Sequence, residues 1–184
     1  KEFVDAAADA GQSLWQLCPL SPVAEVHGFS PYQAYSAFAL EPLLIDLDDL
    51  VDRGLLDESD VAADRSFPDE RVDYEAVREF KYPLLRKAYE RFEAREPEDV
   101  ASAFAAFRER VDWLDNYALF RALKDHFGDV AWTDWPEPIR SREPEAMAEY
   151  REELADEIRF RKFCQFLAID QWDELHEYAA ERGI

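Results

Sequence analysis

The sequence predicts a segment of an α/β protein that carries one sheet strand followed by a long, mainly helical insertion. Residues 13–18 are the only convincing buried strand in the sequence, and a strand needs neighbours to satisfy its backbone N–H and C=O groups. Helical spacing of apolar residues dominates from residue 73 onward. Gly183-Ile184 follows the last helix as the start of a further strand. The expected scaffold is therefore a barrel or an open sheet, most of which lies outside these 184 residues.

Residues 1–20 are expected to form a helix and the strand of that scaffold. Gly11 suits the position just past a helix end, and Pro19 ends the strand. In parallel sheets and barrels, ligands bind beyond the carboxyl ends of the strands. Residues 21–72 are therefore predicted to form a loop region on the ligand side of the sheet. The helical face before Gly11 is apolar: Phe3, Ala6, Ala7 and Ala10.

Residues 73–182 are expected to form a helical insertion. Asp73 is a good N-cap for its first long helix, and Pro83 is expected to kink or split that helix. Apolar stripes predict a second helix over residues 97–126 and a third over residues 144–182. The acidic residues on the opposite faces are most simply solvated surface.

Composition limits the partners and the environment of the chain. Apolar residues make up 48% of it, which excludes a disordered acidic tail despite a formal net charge of −21. The basic residues are mostly Arg, and an acidic, Lys-poor surface is typical of proteins kept soluble at high salt, so a halophilic source is predicted. A strongly negative body repels phosphates, so no nucleic-acid partner is expected.

No compositional signal indicates a membrane, a disulfide or a bound cofactor. Cys18 and Cys164 lie far apart in apolar surroundings and are interpreted as small buried hydrophobes. No apolar run approaches the roughly 20 residues needed to span a bilayer, so no membrane partner is expected and the predicted compartment is a reduced cytoplasm. Metal-ligand spacing, a glycine-rich phosphate loop and a nucleophile elbow are all missing from the sequence, so neither a metal nor a cofactor is expected.

The loop after the predicted strand holds the first candidate ligand contacts. Tyr32 could pack against a sugar ring or hydrogen-bond a hydroxyl; alternatively, it fills space beneath the loop with its aromatic neighbours. His27 could contact a ligand or act as a base, although an exposed loop histidine is the commoner explanation. His126 and His176 lie near helix ends and are interpreted as structural.

Two further sets of residues have both a functional and a structural interpretation. Trp132 and Trp135 could form a stacking platform or seal the junction between two helices. Residues 132–138 contain too much proline for regular structure and are predicted to be irregular. Asp46 and Asp170 are the nearest candidates for a catalytic carboxylate. Capping and helix-surface roles explain both at least as well. A retaining glycosidase needs two carboxyl groups about 5–5.5 Å apart, and the sequence singles out no such pair.

Ten blocks of the chain, in the same order and over nearly its whole length, resemble the 4-α-glucanotransferases. This family, also called amylomaltases or disproportionating enzymes, is glycoside hydrolase family seventy-seven. The chain departs from the family pattern at residues 23–29, where the family loop is commonly glycine-rich, and at Leu40-Glu41, where Gly-Asn is usual. The resembling blocks are residues 10–16, 30–33, 36–39, 42–47, 71–74, 116–120, 132–136, 142–144, 157–160 and 171–172.

The resemblance implies a (β/α)8 TIM barrel with a helical insertion, and an enzyme acting on α-1,4-glucans or maltooligosaccharides. Such an enzyme passes a glycosyl unit to the 4-hydroxyl of another glucan by retaining double displacement. It also implies that the aspartate nucleophile and glutamate acid/base lie beyond Ile184, so this chain is expected to be an inactive fragment without catalytic residues. Ser30 and Tyr32 match family positions that contact bound glucan.

Two other interpretations stay open at the level of the sequence. One is a stand-alone acidic helical module that binds a protein partner through its aromatic loop. The other is a hydrolytic α-glucosidase of related barrel fold.

Overall fold

The structure is a computed structural model that describes residues 1–24, 28–62, 67–68 and 70–184. Within these ranges all regular elements are helical and no strand is present. Two 3₁₀ turns span Pro42–Leu44 and Trp132–Asp134. The α-helices are α1 (Glu2–Asp9), α2 (Leu47–Asp52), α3 (Glu58–Val61), α4 (Tyr74–Arg95), α5 (Glu98–Arg110), α6 (Leu114–His126), α7 (Glu137–Arg140), α8 (Pro144–Glu153) and α9 (Ala155–Glu181).

The chain divides into two compact units. The first unit comprises Lys1–Ala88 and Phe166–Ile184, and the second comprises Tyr89–Gln165. Both long helices, α4 and α9, contribute residues to each unit. Over the described residues, no helix combines the length and the apolar character that crossing a membrane requires. The four-part division predicted above (1–20, 21–72, 73–182 and 183–184) stays a prediction.

The strand predicted over residues 13–18 does not form in this structure. The segment is irregular and its leucine at position 14 is 87% exposed. Since no described segment pairs with it, its backbone lacks the ladder partners that a buried strand requires. Cys18 is likewise exposed rather than buried, whereas Cys164 is buried as predicted. At the other end, Ile184 donates its N–H to the Ala179 carbonyl oxygen at 3.1 Å, and the strand expected to begin at residues 183–184 stays a prediction.

Short polar contacts fix α2 in the first unit. Asp46 caps this helix, because its Oδ1 accepts the Asp48 N–H at 3.1 Å. Gln171, on α9, accepts the Asp46 N–H at 2.7 Å. Arg53, at the other end of α2, donates to Asp170 at 2.6 Å. Asp46 and Asp170 therefore have the structural roles that were the alternative to catalysis.

A half-buried lysine holds the first 3₁₀ turn. Lys81, on α4, donates through Nζ to the carbonyl oxygens of Leu43 and Ile45, each at 2.7 Å. Burial lowers the pKa of the Lys81 ammonium, since it disfavours the charged form. The turn carbonyls, which no strand or helix ladder satisfies, obtain their donors from this one side chain.

Helix α4 begins as predicted but is not split. Asp73 accepts the Ala76 N–H at 3.1 Å, which confirms it as the N-cap. The helix then runs without interruption through Pro83 to Arg95. Pro83 is exposed, while Leu85 on the same helix is fully buried. Burial of the opposite face therefore keeps the helix intact although proline removes one backbone hydrogen bond.

The two long helices predicted for the rest of the insertion are each broken once. Residues 97–126 form α5 and α6, because Val111 adopts extended torsions (φ −107°, ψ 94°). Residues 144–182 form α8 and α9, which are separated at Leu154 (φ −100°, ψ 18°). Neither break interrupts the apolar spacing, so periodicity alone did not reveal it.

Aromatic side chains form one core of the second unit. Phe163 stacks on Phe92 with ring centroids 4.8 Å apart and meets Phe104 edge-on at 5.7 Å. Tyr89 packs against Phe163 at 5.7 Å and against Phe160 at 5.6 Å. These rings come from α4, α5 and α9 and bring the three helices together.

Candidate functional site

A buried carboxylate organises the loop that the sequence indicated as the place for ligand contacts. Glu41 Oε2 accepts the Val23 N–H at 2.8 Å, and Oε1 accepts the Leu43 N–H at 3.2 Å. Its own N–H donates to the Leu20 carbonyl at 2.8 Å. The two ends of the loop are thus joined through one residue. Sequence reasoning noted Leu40-Glu41 only as a departure from the family pattern and missed this role.

Further backbone hydrogen bonds shape the interior of the loop. Tyr35 donates its N–H to the Pro22 carbonyl at 3.1 Å, and Phe29 donates to Ala24 at 3.0 Å. Phe29 has a left-handed backbone (φ 57°), which is uncommon for a bulky residue. The candidate His27 lies outside the described residues.

Tyr32 projects from a small turn that Ser30 stabilises. The Tyr32 N–H donates to Ser30 Oγ at 3.4 Å, and the Gln33 N–H donates to the Ser30 carbonyl at 3.1 Å. The Tyr32 side chain is 76% exposed. Its hydroxyl lies 3.8 Å from Cys18 Sγ, and this hydrogen bond raises the pKa of the Tyr32 phenol. At neutral pH the phenol therefore keeps its proton and is able both to donate and to accept a hydrogen bond.

Phe29, another aromatic residue of the loop, makes packing contacts of the kind considered as the alternative role for Tyr32. Phe29 stacks on Tyr74 with centroids 5.0 Å apart and an interplanar angle of 11°. The Arg78 guanidinium lies 5.2 Å from the Phe29 ring centroid, a cation–π contact. Tyr32, by contrast, is open to solvent in this structure.

The remaining two histidines differ in their environment: His126 packs against other side chains, and His176 is exposed. His126, the last residue of α6, packs edge-on against Phe127 at 4.8 Å and Tyr150 at 5.4 Å. His176 is exposed on α9. Over the described residues, no group of three or more His, Cys, Asp or Glu side chains is placed to hold a metal ion.

The two tryptophans of the second unit have different environments. Residues 132–138, predicted to be irregular, instead form a 3₁₀ turn and the start of α7. Trp135 is 6% exposed and packs against Phe120 (5.7 Å) and Phe127 (5.5 Å), whereas Trp132 is 54% exposed. Both line a cavity of about 270 Å³. Trp135 thus has the sealing role, and Trp132 remains largely exposed.

A family model described as 4-alpha-glucanotransferase matches residues 1–184. The chain belongs to this family. It is 42% identical to the 4-alpha-glucanotransferase of Thermus thermophilus and 39% identical to that of Synechocystis sp., covering 100% of this chain and 36% of each relative. The chain therefore spans about a third of the length of the curated relatives it matches.

A solved structure is also similar to this 4-alpha-glucanotransferase-family chain. The amylomaltase from Streptococcus agalactiae in complex with acarbose matches it with a TM-score of 0.92 and 35% identity, over 100% of this chain and 37% of that one. The family resemblance inferred from the sequence blocks is thereby confirmed. The roles of Ser30 and Tyr32 stay predictions.

Proposed function

We propose that the protein carrying this chain is a 4-α-glucanotransferase, which cleaves an α-1,4-glucan and passes the released glycosyl unit to the 4-hydroxyl of another glucan. Membership of the family over all 184 residues is the observation that carries this proposal. The likeness to an amylomaltase that is in complex with acarbose supports an oligosaccharide ligand.

The architecture proposed for that protein is a (β/α)8 barrel with residues 73–182 as a helical insertion. Residues 13–18 are then a barrel strand whose neighbours lie outside this chain, and residues 183–184 lead into the next strand. The likeness to an amylomaltase structure, with a TM-score of 0.92 over 100% of this chain, supports this assignment.

Ser30 and Tyr32 are proposed to contact the bound glucan. Three observations support this: Tyr32 is exposed, its turn is held by Ser30 Oγ, and Glu41 fixes the loop that carries both. An aromatic ring packs well against the apolar face of a pyranose, while a phenol O–H binds a sugar hydroxyl. Neither residue takes a chemical step; both orient the sugar.

The proposed reaction is a retaining double displacement. A carboxylate attacks the anomeric carbon while a carboxylic acid protonates the leaving oxygen, and the second group then deprotonates the incoming 4-hydroxyl. Both carboxyl groups are proposed to come from outside this chain. Positioning of the acceptor sugar decides between transfer and hydrolysis, since water and a glucan hydroxyl compete for the same glycosyl-enzyme.

Incubation of the complete protein with maltotriose tests the reaction class. A transferase yields glucose together with maltooligosaccharides longer than maltotriose. A hydrolase yields only sugars shorter than maltotriose, and that product pattern would contradict the proposal. Chromatography of the products at early time points distinguishes the two outcomes.

Substitution of Tyr32 tests the site. Tyr32→Ala in the complete protein is expected to lower kcat/KM for maltotriose by about tenfold, which is about 1.4 kcal/mol, because a sugar-packing ring is lost. The melting temperature is expected to stay nearly unchanged. Phe38→Ala removes another exposed aromatic (70% exposed) from the same loop and is the matched control. Equal losses of activity and melting temperature in Tyr32→Ala would show that Tyr32 is a packing residue.

A further inference from the structure

Phe29 occupies the position directly before the turn that is proposed to contact glucan. Its backbone is left-handed (φ 57°), as is that of Gly28 (φ 61°). Glycine adopts this conformation freely, whereas a bulky residue adopts it only where its surroundings enforce it. The contacts of the Phe29 side chain are therefore expected to determine the course of the chain at this point.

Two side chains at the start of α4 contact the Phe29 ring. Tyr74 stacks on it with centroids 5.0 Å apart and an interplanar angle of 11°, a favourable separation for an aromatic pair. The Arg78 guanidinium lies 5.2 Å from the same ring centroid, which adds a cation–π attraction. Tyr74 and Arg78 are four residues apart and therefore lie on one face of the helix. We call Phe29, Tyr74 and Arg78 the ring clamp.

The helical side of the ring clamp belongs to a well-anchored element. Tyr74 is the first residue of α4, a helix of 22 residues. Asp73 caps this end by accepting the Ala76 N–H at 3.1 Å, and Leu85 further along is fully buried. The Phe29 ring thus rests on a fixed helix end, although the loop that carries it has no regular structure of its own.

The ring clamp acts at the tip of the loop, where Glu41 makes no printed bond. Glu41 joins the two ends of the loop. The proposed binding turn begins one residue after Phe29 and is closed by the bond from the Tyr32 N–H to Ser30 Oγ at 3.4 Å. The Tyr32 side chain is 76% exposed, so burial does not fix its direction. That direction depends on where the turn begins, which the ring clamp sets.

We propose that the ring clamp orients Ser30 and Tyr32 toward the bound glucan, with Tyr74 and Arg78 as positioning residues that act without touching the sugar. This inference rests on the proposed function and deepens it, because it assigns the orientation of the glucan contacts to the start of α4. A stacked ring is needed at position 74, and the tyrosine hydroxyl is not. Tyr74→Phe is therefore expected to retain the role and Tyr74→Ala to lose it.

Kinetics of the complete protein with maltotriose test the proposal. Tyr74→Ala is expected to lower kcat/KM about fourfold, whereas Tyr74→Phe is expected to stay within about 1.5-fold of the parent protein. In a Tyr32→Ala background, Tyr74→Ala is expected to cost less than about twofold, because the ring clamp acts largely through Tyr32. Glu75→Ala, at the neighbouring exposed position of α4, is the matched control and is expected to equal the parent.

Hydrogen exchange of backbone amides gives a readout that does not depend on catalysis. The Gln33 N–H donates to the Ser30 carbonyl and the Tyr35 N–H to the Pro22 carbonyl, each at 3.1 Å. Both amides are expected to exchange at least about fivefold faster in Tyr74→Ala than in the parent, and at the parent's rate in Tyr74→Phe. Amides of α6 are expected to be unchanged, which separates a local effect from a loss of global stability. If Tyr74→Ala does not fold, Phe29→Leu takes its place, since it removes the other ring of the stack.

Three outcomes would overturn the proposal: unchanged kcat/KM in Tyr74→Ala, an equal loss in both backgrounds, or unchanged exchange at Gln33 and Tyr35. An equal loss in both backgrounds would mean that Tyr74 contacts the sugar itself. Failure of the proposed function has a different signature, because a parent protein that forms no maltooligosaccharide longer than maltotriose contradicts it whatever the exchange rates are. Transfer by the parent together with unchanged exchange in Tyr74→Ala would contradict the ring clamp alone.

Discussion

Glu41 illustrates how one residue determines the shape of the proposed binding loop. An ionised carboxylate only accepts hydrogen bonds, and here its two oxygens face two different backbone N–H groups, those of Val23 and Leu43. The side chain is buried, so water does not replace either bond. The two ends of the loop that carries Tyr32 are thus joined by one buried side chain.

Glu41→Gln is expected to destabilise the protein. One carboxylate oxygen becomes an NH2 group that faces a backbone N–H, which costs about 1–3 kcal/mol for the donor left unpaired. The melting temperature is expected to fall by roughly 2–4 °C per kcal/mol for a domain of this size. Glu79→Gln, at an exposed position of α4, is the matched control and is expected to change stability by less than about 0.5 kcal/mol. Equal melting temperatures for the two variants would show that Glu41 does not hold the loop.

Tyr89 is expected to make stability depend on pH in the alkaline range. Burial, followed by the hydrogen bond from its hydroxyl to Asp156 at 3.0 Å, raises the pKa of Tyr89. In the unfolded chain tyrosine ionises near a pH of about 10, so above that pH the unfolded state binds fewer protons than the folded one. The stabilisation from Tyr89 is therefore complete below about pH 10 and is lost as pH rises further.

The variant Tyr89→Phe tests the predicted loss of stability at high pH. The variant lacks the hydroxyl and is expected to be less stable by about 0.5–1.5 kcal/mol below pH 9, because the bond to Asp156 is lost. Its free energy of unfolding, measured in urea from pH 8 to pH 11, is expected to fall less steeply above pH 10 than that of the parent protein. Parallel curves over the whole range would contradict the assignment.

At the scale of secondary structure, helix α4 tolerates a proline because tertiary burial outweighs local propensity. Pro83→Ala is expected to raise stability by about 1–3 kcal/mol, since alanine restores a backbone N–H and removes the clash with the preceding turn. The gain is reduced by the extra freedom that alanine gives to the unfolded chain. Thermal melting checks the direction, and Glu90→Ala, at an exposed position of the same helix, is the control and should change little. A lower melting temperature for Pro83→Ala would show that the structure requires proline there.

The helices were predictable where local signals were sufficient. Asp73 and Gly11 mark helix ends through side-chain and backbone properties that act within a few residues, and both predictions are confirmed. The breaks near Val111 and at Leu154 have no such signal, because the apolar spacing continues across them. Residues 13–18 form no strand in this structure, because a strand depends on pairing partners that a local pattern does not contain.

The residues of the candidate site also differ in whether sequence motifs reveal them. Ser30 and Tyr32 were predicted through resemblance to a family whose motifs they match. The roles of Glu41 and Phe29 depend on contacts between residues far apart in sequence, such as Phe29 with Tyr74. No spacing rule indicates those contacts, so only the folded structure brings them to attention.

At the scale of the whole molecule, the net charge of −21 opposes folding through self-repulsion. Ion pairs act in the other direction but involve few groups at a time: Arg53, for example, pairs with Asp49 at 2.8 Å and with Asp170 at 2.6 Å. Salt screens both the repulsion between like charges and the attraction within ion pairs. Acidic residues outnumber basic ones by two to one, with 42 against 21, so screening removes more repulsion than attraction.

The melting temperature is therefore expected to rise with salt. The Debye length is about 10 Å at 0.1 M ionic strength and about 3 Å at 1 M, so most repulsion between surface carboxylates is gone by 1 M KCl, and the rise should be steepest below that concentration. KCl is the appropriate salt because sulfate also strengthens apolar burial. Sucrose, which is uncharged, is the control for exclusion from the surface and should not reproduce the steep rise at low concentration. A melting temperature that falls between 0.1 M and 1 M KCl would mean that local ion pairs such as those of Arg53 outweigh the repulsion of the remaining carboxylates, and it would remove the physical basis for a high-salt origin.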